Sequence, residues 1–125
     1  MTESEFLALE PRERDKIVSM GAMDNKPLRF GDVLADCHDP DALGWLILTG
    51  DDTAEFCHYP PNYTTDIRAA WQVVEKGRLD HLGWNAFYKA WDCDVTIKGK
   101  MGRARADTAP LSIAIAALKA KGVIE

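Results

Sequence analysis

Apolar positions along the chain follow two periods. Ile67, Ala70, Trp71 and Val74 recur at i, i+3, i+4 and i+7, the stripe of a helix lying on a core. Leu111, Ile115 and Leu118 repeat that spacing near the C-terminus, where Ala114 and Ala117 are small enough for close packing. Cys93, Val95 and Ile97 instead alternate with Asp94, Thr96 and Lys98, the period of a strand with one buried face. The run Gly44-Trp-Leu-Ile-Leu-Thr49 has no polar alternation, which predicts a strand covered on both faces.

Start and stop signals delimit these elements. Thr2 and Glu5 form a capping box that opens a first helix, and Pro11 breaks it near Glu10 and starts a second that ends at Gly21. Pro27, Gly31, Pro40 and Gly44 punctuate the stretch that follows. Gly50-Asp51-Asp52 has the composition of a tight turn, so Thr53 to His58 is expected to return antiparallel to the preceding strand. Thr64 or Thr65 is expected to cap the helix that carries Ile67, with Asp66 at the positive end of its dipole and Gly77 after its end. The aromatic segment Trp84 to Trp91 and the alternating segment Asp92 to Lys98 read as two strands of one sheet. Gly99 to Arg105 reads as a basic loop punctuated by Gly99 and Gly102, leading to a last helix capped by Asp107-Thr108 and ended by Gly122.

The order helix, strands, helix, strands, helix predicts an α/β chain of the α+β type, a mainly antiparallel sheet sandwiched between helical layers. With 125 residues and no linker or internal repeat, the whole chain 1–125 is expected to form one domain. The longest uncharged run, Thr108 to Leu118, is far short of the roughly 20 residues that span a bilayer, and acidic Glu3, Glu5 and Glu10 stand where a secretory signal would be basic. A cytoplasmic protein without a membrane partner is therefore expected. Three cysteines, Cys37, Cys57 and Cys93, point to reduced thiols rather than a disulfide framework. A zinc site is disfavoured because Cys37-His38 and Cys57-His58 are adjacent pairs, whereas zinc ligands converge from spacings of two to five residues. Neither a nucleophile elbow nor a phosphate-binding glycine loop is present, so neither an enzyme nor a resident cofactor is expected.

Charge adds the chemistry. The net charge of −5 opposes duplex nucleic acid, yet it is unevenly spread. Residues 95–125 carry six cations against Asp107 and Glu125, a local +4, which leaves −9 on residues 1–94. Lys98, Lys100, Arg103 and Arg105 flank a segment that runs into a helix start, where free N–H groups favour an anion. Lys100, Arg103, Arg105, Asp107 and Thr108 are therefore the candidate ligand contacts, with Arg103 and Arg105 able to grip a phosphate in bidentate fashion. Trp91, close to that segment with Trp84, Phe87 and Tyr88, is the candidate stacking platform for a base. The competing interpretation is a charged loop that protects a sheet edge or docks on another subunit. The bipolar charge and four tryptophans favour a homo-oligomer.

At Tyr63-Thr-Thr-Asp-Ile-Arg-Ala-Ala-Trp-Gln-Val-Val-Glu75 and Ala106-Asp-Thr-Ala-Pro-Leu-Ser-Ile113 the sequence resembles the phage ABA sandwich domain, and Glu5-Phe-Leu-Ala-Leu-Glu10 is similar to that family's start. The chain departs from the family's pattern between Gly21 and Pro60 and at His81-Leu-Gly-Trp84. The resemblance implies a sheet between helical layers and a phage protein active in the cytoplasm of the infected host; it implies no catalytic motif. Small acidic phage proteins of this kind act by stoichiometric binding, which makes counter-defence the expected role. One version sequesters a cyclic nucleotide or other phosphate-bearing small molecule, by analogy of size and layout with phage sponges for immune signals. A second is an anti-CRISPR that covers a host defence protein with its acidic surface, and a third is an accessory of virion assembly.

Overall fold

A computed structural model of the chain describes residues 1–28, 44–50 and 53–125. The turn expected at Asp51 and Asp52, the punctuation at Gly31 and Pro40, and Cys37 and His38 lie outside the described residues. Helix α1 (Glu3–Leu7) starts on the capping box: Thr2 Oγ1 accepts from the Glu5 N–H at 3.1 Å, and Glu5 Oε1 accepts from the Thr2 N–H at 3.2 Å. Helix α2 (Pro11–Gly21) follows the break. Arg14 staples the two, its Nε donating to the Phe6 carbonyl at 3.3 Å.

The first sheet is antiparallel in the order β1 (Lys26–Leu28), β2 (Gly44–Gly50), β3 (Thr53–Cys57), and the β2–β3 hairpin is the one expected. Strand β2 is not covered on both faces: Trp45 and Ile47 are buried, whereas Leu48 is exposed. On its open face Leu46 lies opposite Phe56 and Leu48 opposite Ala54. Asn25 fixes the sheet to α2. Its Nδ2 donates to Ser19 Oγ and to the Tyr63 hydroxyl, both at 3.0 Å, and its Oδ1 accepts from the Leu48 N–H at 2.9 Å.

Helix α3 (Ile67–Val74) is capped by Asp66, whose carboxylate accepts from the Arg68 N–H, not by Thr64 or Thr65. Thr64 is engaged elsewhere: its N–H and its hydroxyl both donate to buried Asp15 of α2, at 2.9 and 2.8 Å. The apolar stripe is also rotated from the one expected, with Ala69, Ala70 and Val73 buried and Ile67 and Trp71 exposed. Helix α3 packs on helix α4 (Ala109–Ala120), and small side chains at the contact let the two axes approach while the large ones stay at the rim.

The second sheet is an antiparallel meander of β4 (Arg78–Asn85), β5 (Ala90–Ile97) and β6 (Lys100–Ala106). Two corrections to the sequence reading follow. Trp84 to Trp91 is no strand; it straddles the β4–β5 turn. Lys100 to Ala106 is no loop; Lys98 and Gly99, with φ of +51° and +79°, make the tight reversal that returns the chain as a strand. The inner face of this sheet, with Cys93, Val95, Ile97 and Ala104, lies under α4, which is apolar apart from Ser112 and Lys119 and is mostly buried. The core therefore sits between this sheet and α4, closed by α3, Phe6, Val18 and Tyr63. Together these layers form an α+β sandwich, and the outer face of β4–β6 is left for side chains of another kind.

Candidate binding site

That outer face is a ladder of charge. Alternation along β5 turns Asp92, Asp94 and Thr96 outward, and on β6 Arg105, Arg103 and Met101 stand directly opposite them. Arg103 Nε donates to Asp94 Oδ1 at 2.9 Å. Arg105 Nε donates to Asp92 Oδ1 at 2.7 Å, and its Nη2 reaches Oδ2 at 3.5 Å. A third outward carboxylate, Asp80, accepts from Thr96 Oγ1 and from Arg78 Nε, the latter at 2.7 Å. The Arg105 guanidinium, with help from Asn85, holds the Asp92 carboxyl below the usual carboxylate range.

Beside this ladder lies a cleft of about 550 Å3, lined by His81, Asp92, Asp94, Arg103 and Arg105 from the outer face and by Glu3, Ala104 and Lys119 at the β6 edge. Lys119 Nζ donates to Glu3 Oε2 at 3.4 Å. Each arginine or lysine of the cleft thus has its own carboxylate. Arg103 remains 75% exposed, and among the described residues only its Nε is engaged, which leaves its two terminal nitrogens available.

The β4–β5 turn rises next to the cleft and carries an aromatic tip. Phe87 is 84% exposed, and Trp84 and Tyr88 are also exposed. The Phe87 and Tyr88 rings meet edge to face at 4.8 Å, as do Trp84 and Trp91 at 5.8 Å. Asn85 ties the tip down: its Oδ1 accepts from the N–H groups of Phe87 and Tyr88 at 3.0 and 3.1 Å, while its Nδ2 donates to Asp92 Oδ2 at 2.9 Å. Arg105 then closes the circuit by lying 3.6 Å over the Tyr88 ring while bonding Asp92. Three side chains, Asn85, Asp92 and Arg105, therefore hold two exposed aromatics in one geometry.

Of the sequence-predicted contacts, Arg103 and Arg105 come together in the cleft. The others do not line it. Lys100 stands at the far end of β6, opposite Ile97. Asp107 is exposed between β6 and α4. The Thr108 hydroxyl is committed to its own helix, accepting from the Leu111 N–H at 3.4 Å. Trp91 pairs with Ala106 and packs on Trp84. Sequence reasoning missed His81, Asp92, Asp94, Glu3 and Lys119. Asp92 and Asp94 could have been found, because Arg103 and Arg105 repeat their two-residue spacing across a tight turn; Glu3 and Lys119 meet only through the tertiary fold. Gly83 also contributes, since a Cβ there would lie 3.1 Å from the His81 ring.

Among the described residues no group of three or more His, Cys, Asp or Glu side chains could hold a metal, and no helix is long and apolar enough to cross a membrane. Burial pushes the Cys93 thiol up to about 12.

No curated protein matches the chain in sequence. In fold it is similar to a phage protein from Bacillus cereus ATCC 14579, known from a crystal structure, with a TM-score of 0.60 and 23% identity over 94% of this chain and 93% of that one. The family model of the phage ABA sandwich domain matches residues 41–118, all of α3, all of the β4–β6 meander and most of α4 among them. The chain belongs to the phage ABA sandwich domain family.

Proposed function

We propose that this phage protein acts without catalysis, in the cytoplasm of the infected host, by binding and blocking a host defence protein. The observation that carries this reading is the braced aromatic tip. A soluble domain seldom leaves three neighbouring aromatics exposed, and such residues are the usual anchors of protein interfaces. Because Asn85, Asp92 and Arg105 already fix the turn, little ordering entropy remains to be lost on docking. Neutralisation at Arg105 favours the same reading: a plain anion would have to compete there with Asp92, which accepts from both Nε and Nη2. The buried Cys93 thiol, protonated at neutral pH, is a poor nucleophile, in keeping with a role in binding.

The test is affinity capture from a lysate of the phage's host, with the recovered protein identified by mass spectrometry, purified and rebound. Wild type is expected to retain it and Phe87→Ser to lose it with an unchanged melting temperature. Equal retention by both chains would remove the tip from the interface.

A second reading, sequestration of a cyclic nucleotide, is favoured by the cleft volume and by the free nitrogens of Arg103. A nucleotide held there at a hundredfold excess over Kd would add about 2.7 kcal/mol of stability. A thermal-shift panel of cyclic ADP-ribose and cyclic dinucleotides separates the two, since protein capture through the tip requires no nucleotide to stabilise the chain.

A further inference from the structure

We infer that the open edge of β6 takes up an extended, acidic segment of the partner protein as an added strand, an inference that rests on the reading that the partner is a protein. Strand β6 ends its sheet among the described residues, and the cleft runs around it: Arg103 and Arg105 bound it on the outer side, and Glu3 and Lys119 of the helical layer on the inner side. Space bounded from both faces of a sheet edge is the space an additional strand fills. Its side chains would alternate, as those of β6 do. On the outer side they would stand opposite Arg103 and Arg105. Arg103 has free terminal nitrogens, and a carboxylate added there would lie about 9.5 Å, two strand spacings, from the carboxylates of β5, so one guanidinium bridges both. The intervening side chain would point past Ala104 toward the Glu3–Lys119 pair and must be small. The pattern that fits is therefore acidic, small, acidic.

A second copy of this chain fits poorly. Antiparallel self-pairing centred on Ala104 sets Arg103 against the other copy's Arg105, and centring on either arginine sets it against itself; like charges directly opposite are destabilising.

The probe is a fluorescein-labelled peptide alternating glutamate with threonine, beside one of the same composition with its glutamates in a block and one with lysine in place of glutamate. Fluorescence anisotropy on the full chain is expected to show the alternating peptide binding at least about tenfold tighter than either control, and Arg103→Gln to weaken it by about tenfold, the scale of one lost charge-assisted hydrogen bond. Amide hydrogen exchange within residues 100–106 is expected to slow on binding, because edge N–H groups that face solvent acquire partners. No binding, equal binding of the alternating and block peptides, or binding that leaves the β6 amides unprotected overturns strand addition. Phe87-dependent capture of a host protein in that case leaves the broader reading standing, so the two failures are distinct.

Discussion

Gly102 sits where no side chain fits, because a Cβ there would lie 1.8 Å from the Ala116 carbonyl oxygen and 2.6 Å from the Ala120 nitrogen. Both atoms are helix backbone and cannot rotate away, so Gly102→Ala is expected to destabilise the fold by about 3 kcal/mol, at the upper end of overpacking costs, as measured by urea unfolding. Asp15 works through hydrogen bonds. Removing its carboxylate in Asp15→Ala strands the N–H and the hydroxyl of Thr64, with an expected loss of about 2–3 kcal/mol in the same assay. Asp92 and Asp80 contribute to the response to acid. The first is held low chiefly by Arg105, the second chiefly by Thr96 and then Arg78. A carboxyl with a depressed folded-state pKa contributes fully above its ordinary value, about 4, and loses that contribution as pH falls through the depressed one. Asp92→Asn is therefore expected to lower stability in the neutral region and to converge with wild type in acid, which flattens the acid limb of the stability profile. At Cys93 the raised pKa gives an independent check: a thiol reagent at neutral pH is expected to modify it only on unfolding.

Elements whose signal was local were legible in the sequence. Thr2 with Glu5, Pro11, Thr108, and the alternation of Cys93, Val95 and Ile97 each fix an element by chemistry within a few residues, and each stands where expected. Thr108→Ala is accordingly expected to cost about 1 kcal/mol, read from thermal melts, through loss of the α4 cap. What could not be read locally depended on neighbours. Thr64 caps nothing because Asp15, distant in sequence, claims it. Trp71 faces solvent because α3 meets α4 through alanines. Strand β6 was masked by its composition: glycine and four cations from Lys98 to Arg105 suggested a loop, although Gly102, Ala104 and Ala106 alternate with Met101, Arg103 and Arg105 as a strand requires. With the loop gone, the isolated cationic turn became a paired ladder, and the site shifted from the helix start at Thr108 to the outer face of the sheet.

At the scale of the molecule, the two ends of the chain are joined. The Glu3 N–H donates to the Glu125 carbonyl at 3.3 Å, the Glu125 N–H donates to the Met1 carbonyl at 3.1 Å, and Ile124 is buried beside them. Deleting residues 123–125 removes buried Ile124 and half-buried Val123 and is expected to lower stability by about 3 kcal/mol or more. The fold thus packs its inner face and ties its ends, leaving a charged ladder and an aromatic tip side by side on the surface. The most direct test of their joint role is calorimetric titration of the captured host protein into wild type, Phe87→Ser and Trp71→Ser, since Trp71 is an exposed aromatic away from the cleft. One site per chain is expected, with affinity lost about a hundredfold in Phe87→Ser and unchanged in Trp71→Ser, the scale of a central interface anchor. Affinity lost in Trp71→Ser and kept in Phe87→Ser would place the interface on α3 and contradict the role assigned to the tip.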